Sequence, residues 1–291
     1  MVTQIEARTL LASVQPPDPL FGLRYNMNLY RGCQHQCIYC DSRSACYGID
    51  DFADVQVKAN ALQLLPRELA AKRKRGTIGF GAMNDCYMPV EAHWQLTRQA
   101  LEMIAARRFP VHILTKSDLV RRDLDLLARI AEVYAAVTFT ITTARDDLAR
   151  QLEPGAPPPS ARLAAMSEVA RAGILTGTAL MPVLPFLEDT DESVAAVVEA
   201  TAAAGGRYVL AGFGVTLRDR QRDHFYAQLD RLFPGVRPRY EAAFRDRYEC
   251  PSPRAAALAR GLEADCRRRG LATRMPVWAG DRAAQLQLFP S

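Results

Sequence analysis

The chain has 291 residues, of which 49% are apolar and 24% are charged, the balance of a globular protein with a sizeable core. This composition excludes a disordered tail, a collagen-like fibre and a coiled coil. Lysine and arginine outnumber aspartate and glutamate by 37 to 32, and the resulting net charge of +5 permits a polyanionic partner without requiring one.

The N-terminal segment does not read as a secretory signal, because Glu6 precedes any apolar run. No stretch of about 18 consecutive apolar residues is present, so no membrane-spanning helix is predicted. We therefore expect a cytoplasmic protein without a membrane partner. Disulfides are rare in that compartment, so clustered cysteines indicate metal or redox chemistry.

Six short β-rich runs are predicted as strands, in chain order 27–33, 76–82, 111–117, 137–143, 175–182 and 207–214. Helical patterns follow the last five of them, over 91–108, 119–133, 161–172, 191–204 and 220–232. Between the first two strands, residues 50–75 are predicted to form a mostly helical insertion. Strands that alternate with helices predict a parallel sheet with right-handed crossovers.

The predicted fold class is therefore α/β, and six units suit a partial (β/α)6 barrel of the TIM type better than a closed eightfold barrel. A doubly wound open sheet is the alternative. We predict three parts along the chain, namely an N-terminal extension (1–24), the partial barrel (25–235) and a helical C-terminal extension (236–291).

Three of the seven cysteines follow the first predicted strand closely in the pattern CxxxCxxC: Cys33, Cys37 and Cys40. Parallel α/β folds build their sites from loops at the carboxyl ends of strands, so this is the expected position of a site. Thiolates are soft ligands suited to zinc or iron–sulfur clusters. A structural zinc site needs a fourth ligand, which this pattern does not supply. The spacing therefore favours three corners of a [4Fe–4S] cluster with one open iron, and packed cysteines or zinc are the alternatives.

This motif, with Tyr39 directly before its last cysteine, resembles the signature of the radical S-adenosylmethionine superfamily. The resemblance implies that the three cysteines hold a [4Fe–4S] cluster whose open iron chelates S-adenosylmethionine. It also implies an electron donor such as flavodoxin or ferredoxin, and reductive cleavage of the cofactor to a 5′-deoxyadenosyl radical. An aromatic residue at position 39 packs against the cluster and the adenine in such enzymes.

Over residues 25–235 the chain also resembles the spore photoproduct lyase family and its DNA repair photolyase-like relatives. The matching motifs are Thr115–Lys116, Phe139–Ile141, Glu153–Gly155, Ala161–Ala165 and Met181–Pro182. The resemblance implies hydrogen abstraction from a base lesion in DNA, such as a thymine photodimer. The alternatives are the same radical chemistry on RNA, a peptide or a small metabolite, and a non-enzymatic iron–sulfur protein that transfers electrons or acts as a sensor.

Polar residues at strand ends are candidates for cofactor binding. Lys116 ends its strand, where an ammonium can reach a carboxylate as a point charge, although pairing with Asp118 or Asp123 is the alternative. Alternation along 137–143 places its threonines, Thr140 among them, on one face. A row of hydroxyls facing a barrel lumen suits a polar cofactor, although threonine is also a common β-former.

The resemblance assigns specific residues to S-adenosylmethionine. Lys116 and Thr140 bind it, and the backbone of Met181 lies near it. At the end of the second strand, related enzymes place a turn whose backbone groups receive the cofactor's amino group, and here that turn is Gly81, Ala82 and Met83.

Cys86 matches the cysteine that returns a hydrogen atom to the product radical in spore photoproduct lyase. Many photolyase-like relatives have a proline in this position, whereas this chain reads Asp85-Cys86-Tyr87. The alternative for Cys86 is a small buried hydrophobic residue. In the lyase a second tyrosine of the radical relay follows the last cluster cysteine; here Tyr39 is present but Asp41 takes the second position.

Basic residues offer two further candidates for nucleic-acid contact. Arginines begin the helix after the sixth strand and either contact phosphate or form a solvated helix end, namely Arg218, Arg220 and Arg222. The run Lys72–Arg75 is either a charged face or a nucleic-acid patch.

Overall fold

A computed structural model describes residues 2–49 and 51–280. The strands are β1 (Val2–Ile5), β2 (Leu11–Ser13), β3 (Leu23–Met27), β4 (Tyr30–Arg31), β5 (Val55–Lys58), β6 (Thr77–Phe80), β7 (Val111–Thr115), β8 (Ala135–Thr140), β9 (Leu175–Leu180), β10 (Val209–Ala211), β11 (Gly214–Thr216) and β12 (Glu249–Pro251). The helices are α1 (Ala61–Ala71), α2 (Glu91–Trp94), α3 (Leu96–Ala106), α4 (Leu124–Ala131), α5 (Asp146–Leu152), α6 (Pro159–Arg171), α7 (Asp191–Ala203), α8 (Asp219–Leu232), α9 (Val236–Phe244) and α10 (Ala255–Arg268).

The central sheet has seven strands in the order β10-β9-β8-β7-β6-β3-β2. Its neighbours are parallel except for β2, which runs antiparallel to β3. Every residue of β6 and β8 is buried, as expected for parallel strands that are covered on both faces. Within the described residues the edge strands β2 and β10 do not pair with each other. The six parallel strands therefore form an open, partial barrel, which confirms the predicted fold class.

The first parallel strand lies earlier in the chain than predicted. The strand predicted over 27–33 is wrong, because β3 places Leu23, Tyr25 and Met27 in the central sheet and the chain then leaves it. Tyr30–Arg31 pairs instead with β5, in a second sheet of order β1-β5-β4. Apolar residues of both segments are buried, so the sequence pattern does not indicate which sheet receives them. The insertion 50–75 accordingly contains a strand as well as α1.

Two helical segments differ from the prediction. The helix predicted over 91–108 is divided into α2 and α3 at Gln95, whose φ of 51° is left-handed. The helix α5 was not predicted, because it buries only Ala149 and Leu152 and its apolar pattern is short. A Pro-rich loop follows it, and Pro159 begins α6, where a missing N–H costs nothing.

The two faces of β8 have different surroundings. Val137 and Phe139 pack in the main apolar core with the surrounding helices. Thr138 faces the lumen, where its hydroxyl oxygen lies 2.8 Å from Nε2 of His112 and 2.6 Å from the hydroxyl of Tyr208. The threonine face predicted for this strand is therefore turned toward the lumen.

The C-terminal segment closes the amino end of the barrel. Met275 is buried there, and its sulfur lies 3.8 Å from Oγ1 of Thr138. The hydroxyl of Tyr134 donates to the carbonyl of Pro276 at 2.7 Å. Side chains therefore fill the amino end of the barrel.

The predicted extensions join the barrel through strand pairing. In the N-terminal one, β1 pairs with β5 and β2 with β3. In the C-terminal one, β12 pairs with β11, α10 packs against α7, and residues 281–291 lie outside the described residues. The three-part division stays a prediction. Among the residues that the structure describes, no helix has the length and apolar character needed to span a bilayer.

Candidate active site

A cavity of about 650 Å³, including space open to solvent, lies at the carboxyl ends of the parallel strands. Every residue predicted from the sequence as a cluster ligand lines it, and so does each predicted cofactor residue except Tyr39. These lining residues are Cys33, Cys37, Cys40, Gly81, Ala82, Met83, Lys116, Thr140 and Met181. The fold thus brings together residues from five separate stretches of the chain.

The glycine directly after β6 permits close backbone approach at the cavity wall. Gly81 has a φ of +91°, which disfavours side chains, and an added Cβ would lie 1.9 Å from the carbonyl oxygen of Leu114. The turn after β6 is therefore held tightly against β7.

The cysteine loop, residues 33–40, is anchored to the turn Glu153–Gly155. The N–H of Ile38 donates to the carbonyl of Leu152 at 2.9 Å, and the N–H of Gly155 donates to the carbonyl of His35 at 3.0 Å. Nδ1 of His35 lies 3.1 Å from the Gly155 carbonyl oxygen. An added Cβ at Gly155 would lie 2.0 Å from the carbonyl oxygen of Gln34. The two segments are therefore in direct backbone contact.

Asp85 joins the cysteine loop to the ends of β6 and β7. Its carboxylate accepts from the hydroxyl of Thr115 at 2.7 Å, from the N–H of Lys116 at 2.6 Å and from the N–H of Tyr87 at 2.9 Å. Nε2 of His35 lies 3.1 Å from it. Burial would raise the pKa of Asp85, but the His35 ring and these N–H groups together lower it to about 2. Sequence reasoning did not select this residue.

Lys116 lies between the cavity and a buried carboxylate. Its Nζ is 3.9 Å from Oε1 of Glu153 and 5.8 Å from the ring centre of Tyr39. The alternative partners proposed from the sequence are engaged elsewhere, Asp118 with Arg121 and Asp123 with other arginines. Burial lowers the pKa of Lys116, but negative charge around it, that of Glu153 included, more than offsets this and raises the pKa.

Tyr39 lies behind the cavity wall rather than in it. Its ring is buried and its hydroxyl donates to Glu153. Burial and the Glu153 charge raise the pKa of Tyr39 well above its usual value, so it remains a neutral phenol. In this position it can fix the loop between Cys37 and Cys40.

Arg162 completes the surroundings of Glu153. Its Nη2 lies 2.5 Å from Oε2 of Glu153, Nη1 donates to the carbonyl of Thr140 at 2.9 Å, and Nε donates to the carbonyl of Pro157 at 2.7 Å. Burial would raise the pKa of Glu153, but Arg162 and Lys116 lower it. Glu153 and Arg162 both lie in motifs that match the spore photoproduct lyase family, and this match was the only indication of them in the sequence.

Cys86 is not among the residues that line the cavity. Its side chain is 3% exposed, and its carbonyl accepts from the hydroxyl of Thr97 at 2.7 Å. Burial, with the nearby charges of Asp85 and Glu91, raises the pKa of the thiol well above its usual value. This placement suits the alternative of a small buried hydrophobic residue, and the hydrogen-donor role stays a prediction.

The three arginines proposed for phosphate contact bind groups of the chain itself. Arg218 lies 2.6 Å from Oδ2 of Asp41, Arg220 donates to the carbonyl of Arg43 at 2.9 Å, and Arg222 donates to the carbonyl of Arg247 at 2.7 Å. These contacts tie α8 to the segments beside it.

Three cysteine thiols therefore line a cavity at the carboxyl edge of an open, partial α/β barrel. The family profile described as Radical SAM superfamily matches residues 27–201. An uncharacterised protein of Mycobacterium tuberculosis is 36% identical over 238 residues, covering 79% of this chain and 70% of that protein. A protein of Pseudomonas phage M6 described as a radical SAM Nα-GlyT isomerase is 24% identical, and the match covers 62% of this chain and 37% of the phage protein. Spore photoproduct lyase, solved with dinucleoside spore photoproduct, has a similar fold, with a TM-score of 0.71 at 17% identity over 95% of this chain and 81% of the lyase.

The chain belongs to the radical SAM superfamily. Enzymes of this superfamily use a [4Fe–4S] cluster and S-adenosylmethionine.

The thiols of the cavity fit such a cluster. Cys33, Cys37 and Cys40 line one cavity, and thiolates are the soft donors that hold iron–sulfur clusters. The donor set of the site therefore suits the cluster that the superfamily uses.

Proposed function

We propose that this radical SAM enzyme abstracts a hydrogen atom from a thymine photodimer in DNA and so acts as a repair lyase. The observation that carries the proposal is the cavity, which collects three thiols and the strand-end residues expected at S-adenosylmethionine. The likeness in fold to spore photoproduct lyase, over 95% of the chain, supports the choice of substrate.

Cys33, Cys37 and Cys40 are the proposed cluster ligands. When bound, the cluster supplies an electron that cleaves S-adenosylmethionine and yields a radical able to abstract hydrogen. The electron itself is proposed to come from a donor such as flavodoxin or ferredoxin.

The remaining residues of the cavity orient the cofactor. The Lys116 ammonium offers a point charge to a carboxylate, and the Thr140 hydroxyl offers a donor and an acceptor at the end of β8. The turn Gly81–Met83 and the backbone of Met181 offer backbone groups at the cavity wall. Tyr39 is proposed to act from behind the wall, by fixing the cysteine loop through Glu153.

Cys86 is proposed as the residue that returns a hydrogen atom to the product radical. The thiyl radical that this leaves on Cys86 would be restored to the thiol by one electron from the external donor and one proton from water. It follows Asp85 directly, and Asp85 lines the cavity. Its thiol is neutral at physiological pH because burial raises its pKa, and a neutral thiol carries the hydrogen that this role requires.

The experiment that tests the function uses anaerobically reconstituted protein. Dithionite, S-adenosylmethionine and ultraviolet-irradiated thymine-containing DNA are added, and 5′-deoxyadenosine and the dimer are followed together by mass spectrometry. We expect 5′-deoxyadenosine to form while the dimer disappears and thymine is restored. A dimer that stays intact while 5′-deoxyadenosine forms would contradict the substrate and favour RNA, a peptide or a metabolite. No 5′-deoxyadenosine from a fully loaded cluster would favour an electron-transfer or sensor protein.

The role of Cys86 is tested in the same assay. Cys86→Ala is expected to keep cofactor cleavage and to lose restored thymine, because the product radical has no hydrogen donor. Cys266→Ala is the matched control, since Cys266 is equally buried but lies in α10. Wild-type thymine yield in Cys86→Ala would exclude the donor role while leaving the radical chemistry in place.

A further inference from the structure

Arg162 is the largest side chain among those fully buried in the described part of the chain. Burying a guanidinium is costly unless its donors are paired. Here the guanidinium forms an ion pair with the Glu153 carboxylate and donates hydrogen bonds to the carbonyls of Thr140 and Pro157. A buried cation that is paired in this way fixes the geometry of each group that it contacts.

These contacts lead to three residues of the proposed cofactor site. Glu153 accepts the hydroxyl of Tyr39 and lies 3.9 Å from the Lys116 ammonium. Thr140 is itself a cavity residue, and Arg162 holds its carbonyl. One side chain on α6 is therefore connected to the cysteine loop, to the end of β7 and to the end of β8.

We propose that Arg162 is a positioning residue for S-adenosylmethionine. Arg162 pairs with the Glu153 carboxylate, so that the Lys116 ammonium remains available to the cavity. The inference rests on the proposed cofactor-binding roles of Lys116 and Thr140.

The distances indicate how this works. Arg162 contacts Oε2 of Glu153 at 2.5 Å, whereas Lys116 is only loosely paired with Oε1 at 3.9 Å. Without Arg162, the buried carboxylate would have Lys116 as its nearest cation. The ammonium would then move toward Glu153 and away from the cofactor, because an unpaired buried charge is more costly than a close ion pair.

The test compares Arg162→Met with Arg122→Met in reconstituted protein. Arg122 is a matched control, because it also pairs with buried carboxylates, Glu91 at 2.7 Å and Asp123 at 2.8 Å, and does not line the cavity. The readouts are the Kd for S-adenosylmethionine by equilibrium dialysis, iron and sulfide per chain, and the thermal midpoint. We expect both variants to unfold at lower temperature, and only Arg162→Met to bind S-adenosylmethionine roughly tenfold more weakly.

A double variant separates positioning from general destabilisation. Arg162→Met with Glu153→Gln removes the carboxylate that would attract Lys116, so S-adenosylmethionine affinity should recover relative to Arg162→Met alone. Arg162→Lys retains the cation but loses the three-way contact, so its affinity for S-adenosylmethionine should lie between those of wild type and Arg162→Met. It replaces Arg162→Met in the test if that variant does not fold.

Three outcomes would overturn the inference: wild-type affinity in cluster-loaded Arg162→Met, an equal loss in Arg122→Met, or no recovery in the double variant. The failure of the proposed function would look different. In that case the wild-type protein itself, with a full cluster, would not bind S-adenosylmethionine.

Discussion

Three carboxyl groups are buried around the cysteine loop, and each has a different electrostatic environment. The pKa of Asp85 is lowered to about 2 by the His35 ring and neighbouring N–H groups, in spite of burial. The pKa of Glu153 is also lowered, because Arg162, Lys116 and the Tyr39 hydroxyl together outweigh burial. At Glu188 burial prevails and raises the pKa well above its usual value. The first two are therefore charged at neutral pH, whereas the third keeps its proton to a higher pH than an exposed glutamate does.

This shift makes stability depend on pH. Because the pKa of Glu188 is higher in the folded state than the value of about 4.3 in the unfolded chain, its contribution to stability falls as pH rises between the two pKa values, by up to about 1.4 kcal/mol per pH unit. Glu188→Gln removes this loss, so the variant should gain stability over wild type at pH 8 and lose that advantage at pH 4. Urea unfolding at the two pH values measures the difference.

Glu192→Gln, at an exposed position in α7, is the control for the loss of one carboxylate. If Glu188→Gln and wild type differ by the same amount at pH 4 and pH 8, Glu188 does not carry this pH dependence.

At the residue scale, the sequence predicted those side chains whose position follows from a strand end. Lys116 and Thr140 end strands that are recognisable from their apolar pattern, and the carboxyl ends of parallel strands face the site. Asp85 and Glu153 were missed as site residues because the role of a carboxylate depends on its partners. The partner of Glu153, Tyr39, is 114 residues away in sequence.

At the element scale, the turn Glu153–Gly155 forms a platform for the cysteine loop. Gly155→Ala would place a Cβ 2.0 Å from the carbonyl oxygen of Gln34. We expect a loss of at least about 2 kcal/mol of stability, as for overpacked sites, together with less iron bound per chain because the loop is displaced. Denaturant unfolding and iron analysis after reconstitution provide the measurements.

Gly261→Ala is the matched control, because an added Cβ there meets its nearest atom only at 4.0 Å and lies within α10. It should stabilise the chain by about 0.5–1 kcal/mol, since alanine is the better helix former. Normal iron content in Gly155→Ala would show that the loop tolerates the displacement.

At the scale of the whole molecule, side chains fill the amino end of the barrel, whereas the carboxyl end is open. Met275, from the C-terminal segment, is 5% exposed and packs at the amino end beside Thr138. Met275→Ala should cost about 2–5 kcal/mol through the cavity it leaves, with unchanged iron content, because the cysteine loop lies at the opposite end of the strands. Chemical denaturation and iron analysis of the reconstituted variant check both parts.

Val277→Ala, which truncates an exposed side chain of the same segment, should change stability by no more than about 0.5 kcal/mol. A large loss of iron in Met275→Ala would mean that the amino end of the barrel and the cysteine loop are coupled, and would contradict the expected unchanged iron content.

The sequence by itself determined the chemistry and the class of fold. The CxxxCxxC spacing depends on neighbouring residues, and the alternation of strands and helices depends on local periodicity, so both are visible in the linear chain. Only the tertiary structure decided that Tyr30–Arg31 joins a second sheet, that Cys86 does not line the cavity, and that Arg162 pairs with Glu153. These are contacts between distant segments, which form when buried polar groups must find partners and which no local pattern encodes.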